Sequence, residues 1–339
     1  MKLNVLGSCV SRVSLLKGER DGHGVYGDKA DLGYFLDKQN IALAMMPHPD
    51  FAEEALSIKV EELHDKSRLK SLCQNIMKST VDMLLTSDAD YLVMDLYDFD
   101  NSFIIYGNTA FGTQAGEFLG TELFKKYSSD MTLGCFFEMP EWVYYPYVDL
   151  FFEKISKKYD ANHIILNRFR ANTYFLHTNG DICLVPEGSK MLFQCKDKYN
   201  EKRKQLEDYI IKKYNPYVID ISKFFMGDAN LWPDNLNGAH FEKEFYRETY
   251  NQIMRIIYGE TNIRYYDKVK FFNTNREGWE EDKQRAFNVE NGITLFNMFV
   301  ENEEYLWLNM LDKLYMYAPD NEEVQQYIQL VRDKNIAVS

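Results

Sequence analysis

The stretch Lys2-Leu3-Asn4-Val5-Leu6-Gly7-Ser8-Cys9-Val10-Ser11-Arg12 decides the fold. Its apolar first half reads as a strand, and Gly7 ends it with the freedom a tight turn needs. The residues after Gly7 begin a helix. The free N–H groups and positive dipole end of that helix favour a developing anion, so a small nucleophile displayed there is well placed for chemistry. The same segment also fits an ordinary strand-to-helix turn capped by Ser8.

Working outward, apolar runs of strand length recur at 3–6, 41–46, 91–95, 163–166 and 217–221. Helical spacing of apolar residues fills 67–85, 142–159, 200–214 and 241–258. Strands alternating with helices predict a parallel sheet covered on both faces, an α/β fold built as a three-layer α/β/α sandwich. Residues 173–194 break this rhythm. The run His177-Thr178-Asn179-Gly180-Asp181 reads as the turn of a hairpin insertion. After about residue 262 the pattern turns helical, at 279–299, 303–317 and 320–332. The expected organisation is one α/β domain over 1–262 and a small helical appendage over 265–339.

The chain has 339 residues, enough for a substantial core. Its net charge of −13 opposes a nucleic-acid backbone or an anionic membrane surface as main partner. No apolar run approaches the ~20 residues needed to span a bilayer, and the start lacks the layout of a signal peptide. These features predict a cytoplasmic protein with no transmembrane segment. The C-terminal helices offer a surface for a protein partner or self-association. The five cysteines are widely spaced without a CxxC pair, which disfavours a disulfide framework or a structural zinc. No metal site and no cofactor are expected. The 24 Tyr and 23 Phe suit sugar-binding clefts, but large cores use the same residues.

Ligands of such sheets sit beyond the carboxyl ends of the strands, so candidate residues should follow the strand runs. Cys9 follows the first, Asp95 and Asp98 the third, and Asn167 and Arg168 the fourth. A nucleophile needs a base, and six histidines are available. His240 is favoured because it lies in the loop before the last helix of the α/β pattern, on the expected ligand edge. Asp234 or Asn237 would orient its imidazole. Asp95 and Asp98 read as a structural acidic cluster that pairs with Arg12. Arg168 reads equally as a grip on an anionic substrate group or as a structural salt bridge.

The opening Gly7-Ser8-Cys9-Val10-Ser11-Arg12 resembles block I of the SGNH (GDSL) hydrolase superfamily. It is most similar to an uncharacterised bacterial family that opens GSCxSR and is linked to surface-polysaccharide pathways. Gly238-Ala239-His240-Phe241 resembles the superfamily's later block, which carries the catalytic histidine. The likeness spans about residues 1–260 and implies an SGNH or flavodoxin-like sheet order. Aligned on Gly-Asp-Ser, Cys9 takes the place of the nucleophilic serine and Ser8 that of the aspartate, so either Cys9 or Ser8 acts. The Asp-x-x-His pattern also departs, with Asn237 at its first position. The resemblance further implies an oxyanion hole of the nucleophile's own N–H with a glycine and an asparagine from later blocks; Gly107-Asn108 is one counterpart here, Gly33, Asn40 and Asn101 are others, and Gly7 and Arg12 lie beside the nucleophile in the opening motif.

Two readings follow. The first is an acyl-ester hydrolase or acyltransferase that acts on an O-acylated carbohydrate or cell-surface polysaccharide precursor through a covalent acyl-enzyme. The second is a catalytically degenerate SGNH scaffold that serves as a binding or assembly protein. Fold by itself does not choose between them.

Overall fold

A computed structural model describes residues 1–16, 30–63, 65–112, 118–185, 196–233, 236–259 and 284–334. Their strands are β1 (Lys2–Leu6), β2 (Asp31–Leu36), β3 (Tyr91–Met94), β4 (Phe103–Tyr106), β5 (Thr109–Gly112), β6 (Met131–Gly134), β7 (Ile164–Asn167), β8 (Tyr174–Leu176), β9 (Ile182–Leu184), β10 (Tyr217–Ile219) and β11 (Gly227–Asp228). The helices used below are α1 (Cys9–Arg12), α2 (Val60–Leu63), α3 (Lys66–Ile76), α4 (Thr80–Thr86), α5 (Glu122–Tyr127), α6 (Glu141–Ile155), α7 (Lys196–Tyr214) and α8 (Lys243–Tyr258). Among the described residues no helix is long and apolar enough to cross a membrane. Close contacts divide the chain into two units. The first holds the described residues of 1–17, 26–169 and 195–219, and the second those of 170–194 and 220–339.

The first unit is α/β. Five strands form a wholly parallel sheet in the order β10-β7-β3-β1-β2. From β1 the chain winds one way to β2. It then returns to β3 on the other side and continues outward to β7 and β10. Both faces of the inner strands are buried, as a parallel sheet requires. Leu6, Leu92, Met94, Ile164 and Leu166 pack with α4, α6 and α7, and the opposite-facing Leu3, Val5, Val93 and Ile165 are equally buried. This arrangement is compatible with a three-layer sandwich.

Asn4 sets the register of β1 on β2. The pairing slips by one residue between Leu3 and Val5. The Asn4 side-chain oxygen accepts the Tyr34 N–H at 2.8 Å, and its nitrogen donates to the Tyr159 hydroxyl at 2.9 Å. Gly33 allows this approach, since a Cβ there would lie 2.5 Å from the Asn4 oxygen.

Residues 41–46, expected as a strand, instead form the short helical turn Leu43–Met45, and the second strand is β2. The Asn40 side chain accepts the Ala42 and Leu43 N–H groups at 2.9 and 3.2 Å, which starts that turn. Leu, Ala and Met there are helix formers rather than strand formers. The predicted helix over 67–85 is two helices, α3 and α4, broken at Lys78 with φ 53°. A second, antiparallel sheet in the order β5-β4-β6 was not expected from the sequence. Its inner residues Ile104 and Phe111 pack on Phe51, Leu72 and Phe118.

Helices α6 and α7 are zipped by aromatic pairs. Tyr145 stacks on Tyr209 at 4.1 Å and Phe152 on Tyr214 at 4.2 Å. The Tyr209 and Tyr214 hydroxyls both donate to Asp149, at 2.6 and 2.5 Å. Much of the aromatic content is therefore core and helix packing.

In the second unit β8 and β9 form the predicted hairpin, and β11 pairs with β8. Residues 186–194 of the expected insertion lie outside the described residues. The hairpin tip holds the start of helix Val289–Glu301: the Gly180 carbonyl accepts the Asn288 N–H at 2.8 Å, and the Asn288 side chain donates to Asp181 at 2.7 Å. Helix Leu306–Tyr317 is buried on most sides. Its Lys313 forms a buried ion pair with Glu242, and Asn309 donates to the same carboxylate and to the Phe224 carbonyl. The C-terminal helices are thus packed within a unit that includes α8. The boundary expected at 262–265 falls outside the described residues.

Candidate active site

Strand β1 carries its ladder one residue past its end. Gly7 N–H donates to the Leu36 carbonyl at 3.1 Å, and Asp95 N–H to the Leu6 carbonyl at 3.1 Å. The turn after β1 therefore leaves the sheet at the same level as the turn after β3. Gly7 has φ 147°, and a Cβ there would lie 2.6 Å from the Asp95 carboxylate. A side chain at residue 7 would displace Asp95, so glycine is required for both reasons.

Asp95 organises the turn. It accepts the Ser8 N–H at 3.1 Å, the Ser8 hydroxyl at 3.1 Å, the Ser11 hydroxyl at 2.7 Å and the Tyr97 N–H at 3.2 Å. Burial pushes its carboxyl pKa up, and these four donors pull against that rise. The Ser8 hydroxyl also accepts the Val10 N–H at 3.1 Å, so Ser8 is the helix cap. Asn167, at the end of β7, donates to the Ser11 hydroxyl at 3.2 Å. The carboxyl ends of three adjacent strands, β1, β3 and β7, thereby converge on one polar cluster.

Cys9 is the first residue of α1 and is half-buried. Burial pushes its thiol pKa up. The Arg12 charge lowers it, while Asp95, Asp37 and Asp98 raise it. The thiol therefore stands above its ordinary value rather than below it, where an activated thiolate would lie. Asp98 is buried, and burial, Asp95 and Asp37 push its carboxyl far above the ordinary range, with Lys38 opposing in part. One Asp98 oxygen accepts from Asn101 at 3.0 Å, and the other, Oδ2, is buried without a hydrogen-bond partner. Asn167 Oδ1 and Asn40 Nδ2 are likewise buried and unpartnered.

Arg12 does not form the expected ion pair with Asp95 and Asp98. Its guanidinium lies over the Phe35 ring, 4.5 Å from the centroid. Asp95 is occupied instead by Ser8 and Ser11, which sit closer along the same turn. Arg168 donates to the buried Glu207 at 2.9 Å and to Asp208 at 2.7 Å, both on α7. The salt bridge, one of its two predicted roles, is formed. Asn108 is exposed in the turn between β4 and β5 of the antiparallel sheet, so it is not brought to the cluster around Asp95. Among the described residues no group of three or more His, Cys, Asp or Glu side chains is arranged to hold a metal ion.

His240 belongs to the second unit. It is buried and stacks on the Trp232 indole at 4.0 Å with the rings 5° from parallel. Its N–H donates to the Asn237 carbonyl at 3.1 Å, and its carbonyl accepts from Asn172 at 3.0 Å. The Asn237 side-chain oxygen accepts the Ala239 N–H at 2.8 Å, a local turn bond. Asp228 pairs with Arg285. Asp234 lies outside the described residues.

Sequence reasoning passed over Ser11 as a functional residue. Its signal was its spacing, three residues after Ser8, which turns both hydroxyls of α1 and its cap toward one carboxylate. No protein-family model, curated protein or solved structure matches this chain.

Proposed function

We propose that this chain is an acyl-ester hydrolase or acyltransferase that forms a covalent acyl-enzyme on Cys9. One observation carries the reading. Cys9 opens α1 beyond the carboxyl end of β1, beside the turn after β3, where the winding of the parallel sheet reverses. In open α/β sheets that crevice is where ligands bind. Ser8 is committed to Asp95 and to the Val10 N–H, which favours Cys9 as the nucleophile. The resemblance of Gly7-Ser8-Cys9-Val10-Ser11-Arg12 to SGNH hydrolases supports an O-acylated carbohydrate or cell-surface polysaccharide precursor as substrate. Transfer from an activated donor to a sugar suits a cytoplasmic enzyme as well as hydrolysis does.

Release of nitrophenol from p-nitrophenyl acetate tests the reading. Wild type should turn over and Cys9→Ala should not. Loss in Ser8→Ala with retention in Cys9→Ala would move the nucleophile to Ser8.

A second reading, a non-catalytic SGNH-like scaffold for binding or assembly, is favoured by the raised thiol of Cys9 and the exposed position of Asn108. Equal, background-level release by wild type and both variants would support it.

A further inference from the structure

We propose that Arg12 recognises an oxyanion, a carboxylate or a phosphate, on the compound that reacts at Cys9, so that the substrate is an acidic or phosphorylated molecule rather than a neutral ester. The inference rests on the reading of Cys9 as the reactive residue and adds the charge of what it meets.

The chain carries 52 acidic side chains and a net charge of −13. Carboxylates are expected to take up the cations of such a chain, and they do so for the other described arginines of the α/β unit. Arg68 pairs with Asp65, Arg168 with Glu207 and Asp208, and Arg203 with Asp100. Arg12 departs from this pattern. Among the described residues no hydrogen bond or ion pair holds its guanidinium, and its Nε is buried without a partner. What holds it is the Phe35 ring of β2, 4.5 Å from the guanidinium carbon. Attraction to a ring uses none of the five N–H donors, so the fork that matches a carboxylate or a phosphate is still available. A buried N–H without an acceptor is costly, and an oxyanion at the guanidinium would remove that cost. Arg12 and Phe35 are both half-buried, so a ligand can reach the guanidinium from solvent.

The place of Arg12 ties it to the candidate nucleophile. It lies three residues after Cys9 on α1, the spacing at which two side chains share a helix face. The turn that leads into α1 leaves the carboxyl edge of the parallel sheet, where open α/β sheets take their ligands. Three carboxyl groups also act on the Cys9 thiol, Asp37, Asp95 and Asp98. Each is engaged elsewhere: Asp37 by the Ser71 hydroxyl, Asp95 by Ser8, Ser11 and Tyr97, and Asp98 by Asn101. By themselves these groups would turn an anion away from Cys9. Arg12, paired with none of them, supplies the opposing charge together with donors that can bond an anion.

The test compares alkylation of Cys9 by iodoacetate and by iodoacetamide, read by peptide mapping at constant ionic strength, in wild type and Arg12→Gln. Both reagents attack the same thiolate and differ in charge, so the ratio of their rates separates recognition of an anion from any change in the thiol itself. Arg12→Gln should lower the iodoacetate-to-iodoacetamide ratio at Cys9 about 10-fold or more, the effect of losing one charge-assisted bond. An unchanged ratio overturns the inference, including one in which both reagents slow equally, as a role in packing or in setting the thiol pKa would give. Should Arg12→Gln label all five cysteines alike, as an unfolded chain would, the wild type decides. A ratio about 10-fold or more higher at Cys9 than at the half-buried Cys73 and Cys135 supports the inference, and a ratio no higher overturns it. Iodoacetamide labelling of wild type in sodium phosphate or sodium acetate then names the anion. Stronger protection of Cys9 by phosphate assigns a phosphorylated compound, stronger protection by acetate assigns a carboxylate, and protection by neither overturns the inference. A Cys9 that p-nitrophenyl acetate never acetylates sinks the acyl-enzyme reading. The alkylation ratio, measured without that ester, would still decide for or against Arg12.

Discussion

At Gly7 two independent constraints fall on one residue. Its backbone sits in the region that favours glycine, and the Asp95 carboxylate fills the space where a Cβ would go. Gly7→Ala should therefore cost about 2–3 kcal/mol, by the range for backbone strain, read as a shift in the urea midpoint. The same variant should slow Cys9 acetylation, because Asp95 and its hydrogen bonds to Ser8 and Ser11 must move. Gly7→Ala with an unchanged midpoint would show that the turn relaxes freely. Lys78 is a second residue whose chemistry its surroundings dictate. Its ammonium is buried and donates to the Leu43 and Ala110 carbonyls, with no carboxylate among the bonds it makes. Burial brings its pKa down from 10.5 to about 7. The unfolded chain then binds more protons than the folded one between about pH 7 and 10.5, so Lys78 makes stability rise with pH across that window. Urea midpoints at pH 7 and pH 9 should rise less in Lys78→Met than in wild type. An identical rise in the two proteins would contradict the burial argument.

At the scale of elements, what was legible in the sequence is what local pattern controls. The run at 91–95 became β3 because several apolar residues in a row suit a strand buried on both faces, while the run at 217–221 became the edge strand β10, with Tyr217 and Val218 exposed and Ile219 buried. β2 was missed because Gly33 and Asp31 interrupt its apolar pattern, and the glycine is explained only by the Asn4 side chain it accommodates, a contact across strands. The antiparallel sheet was missed although β4 and β5 meet across the two-residue turn Gly107-Asn108, a local hairpin signal; the packing of its inner face on Phe51 and Leu72 is the part set by distant residues. The candidate site follows the same division. Ser8, Cys9 and Asp95 could be named from their positions after strands. The unpartnered oxygen of Asp98 and the attachment of Arg168 to Glu207 are set by α7 and by neighbouring turns, which no local motif records. The join between α8 and helix Leu306–Tyr317 is testable as an element. Lys313→Met leaves Glu242 buried without its counter-charge and should cost about 3–5 kcal/mol. Adding Glu242→Gln should restore part of that loss, as a urea-denaturation double-mutant cycle would show. Additive losses would contradict direct pairing.

At the scale of the whole molecule, the chain is an α/β unit and a second unit in which hairpin, α8 and C-terminal helices share a core. A chain ended at residue 284 would uncover Phe224 and Glu242, and trypsin should cut it within 220–259 far faster than the full chain. Equal resistance would show that the last helices are dispensable. The central claim concerns the first unit: the turn after β1 is a reactive site, and Cys9 is its nucleophile. The most direct measurement is peptide mapping of the acetyl group after brief exposure of wild type and Cys9→Ala to p-nitrophenyl acetate. The account predicts one acetyl group, on Cys9, in wild type and none at this site in Cys9→Ala. An acetyl group on another residue of wild type, or an unmodified Cys9 under turnover, would contradict it.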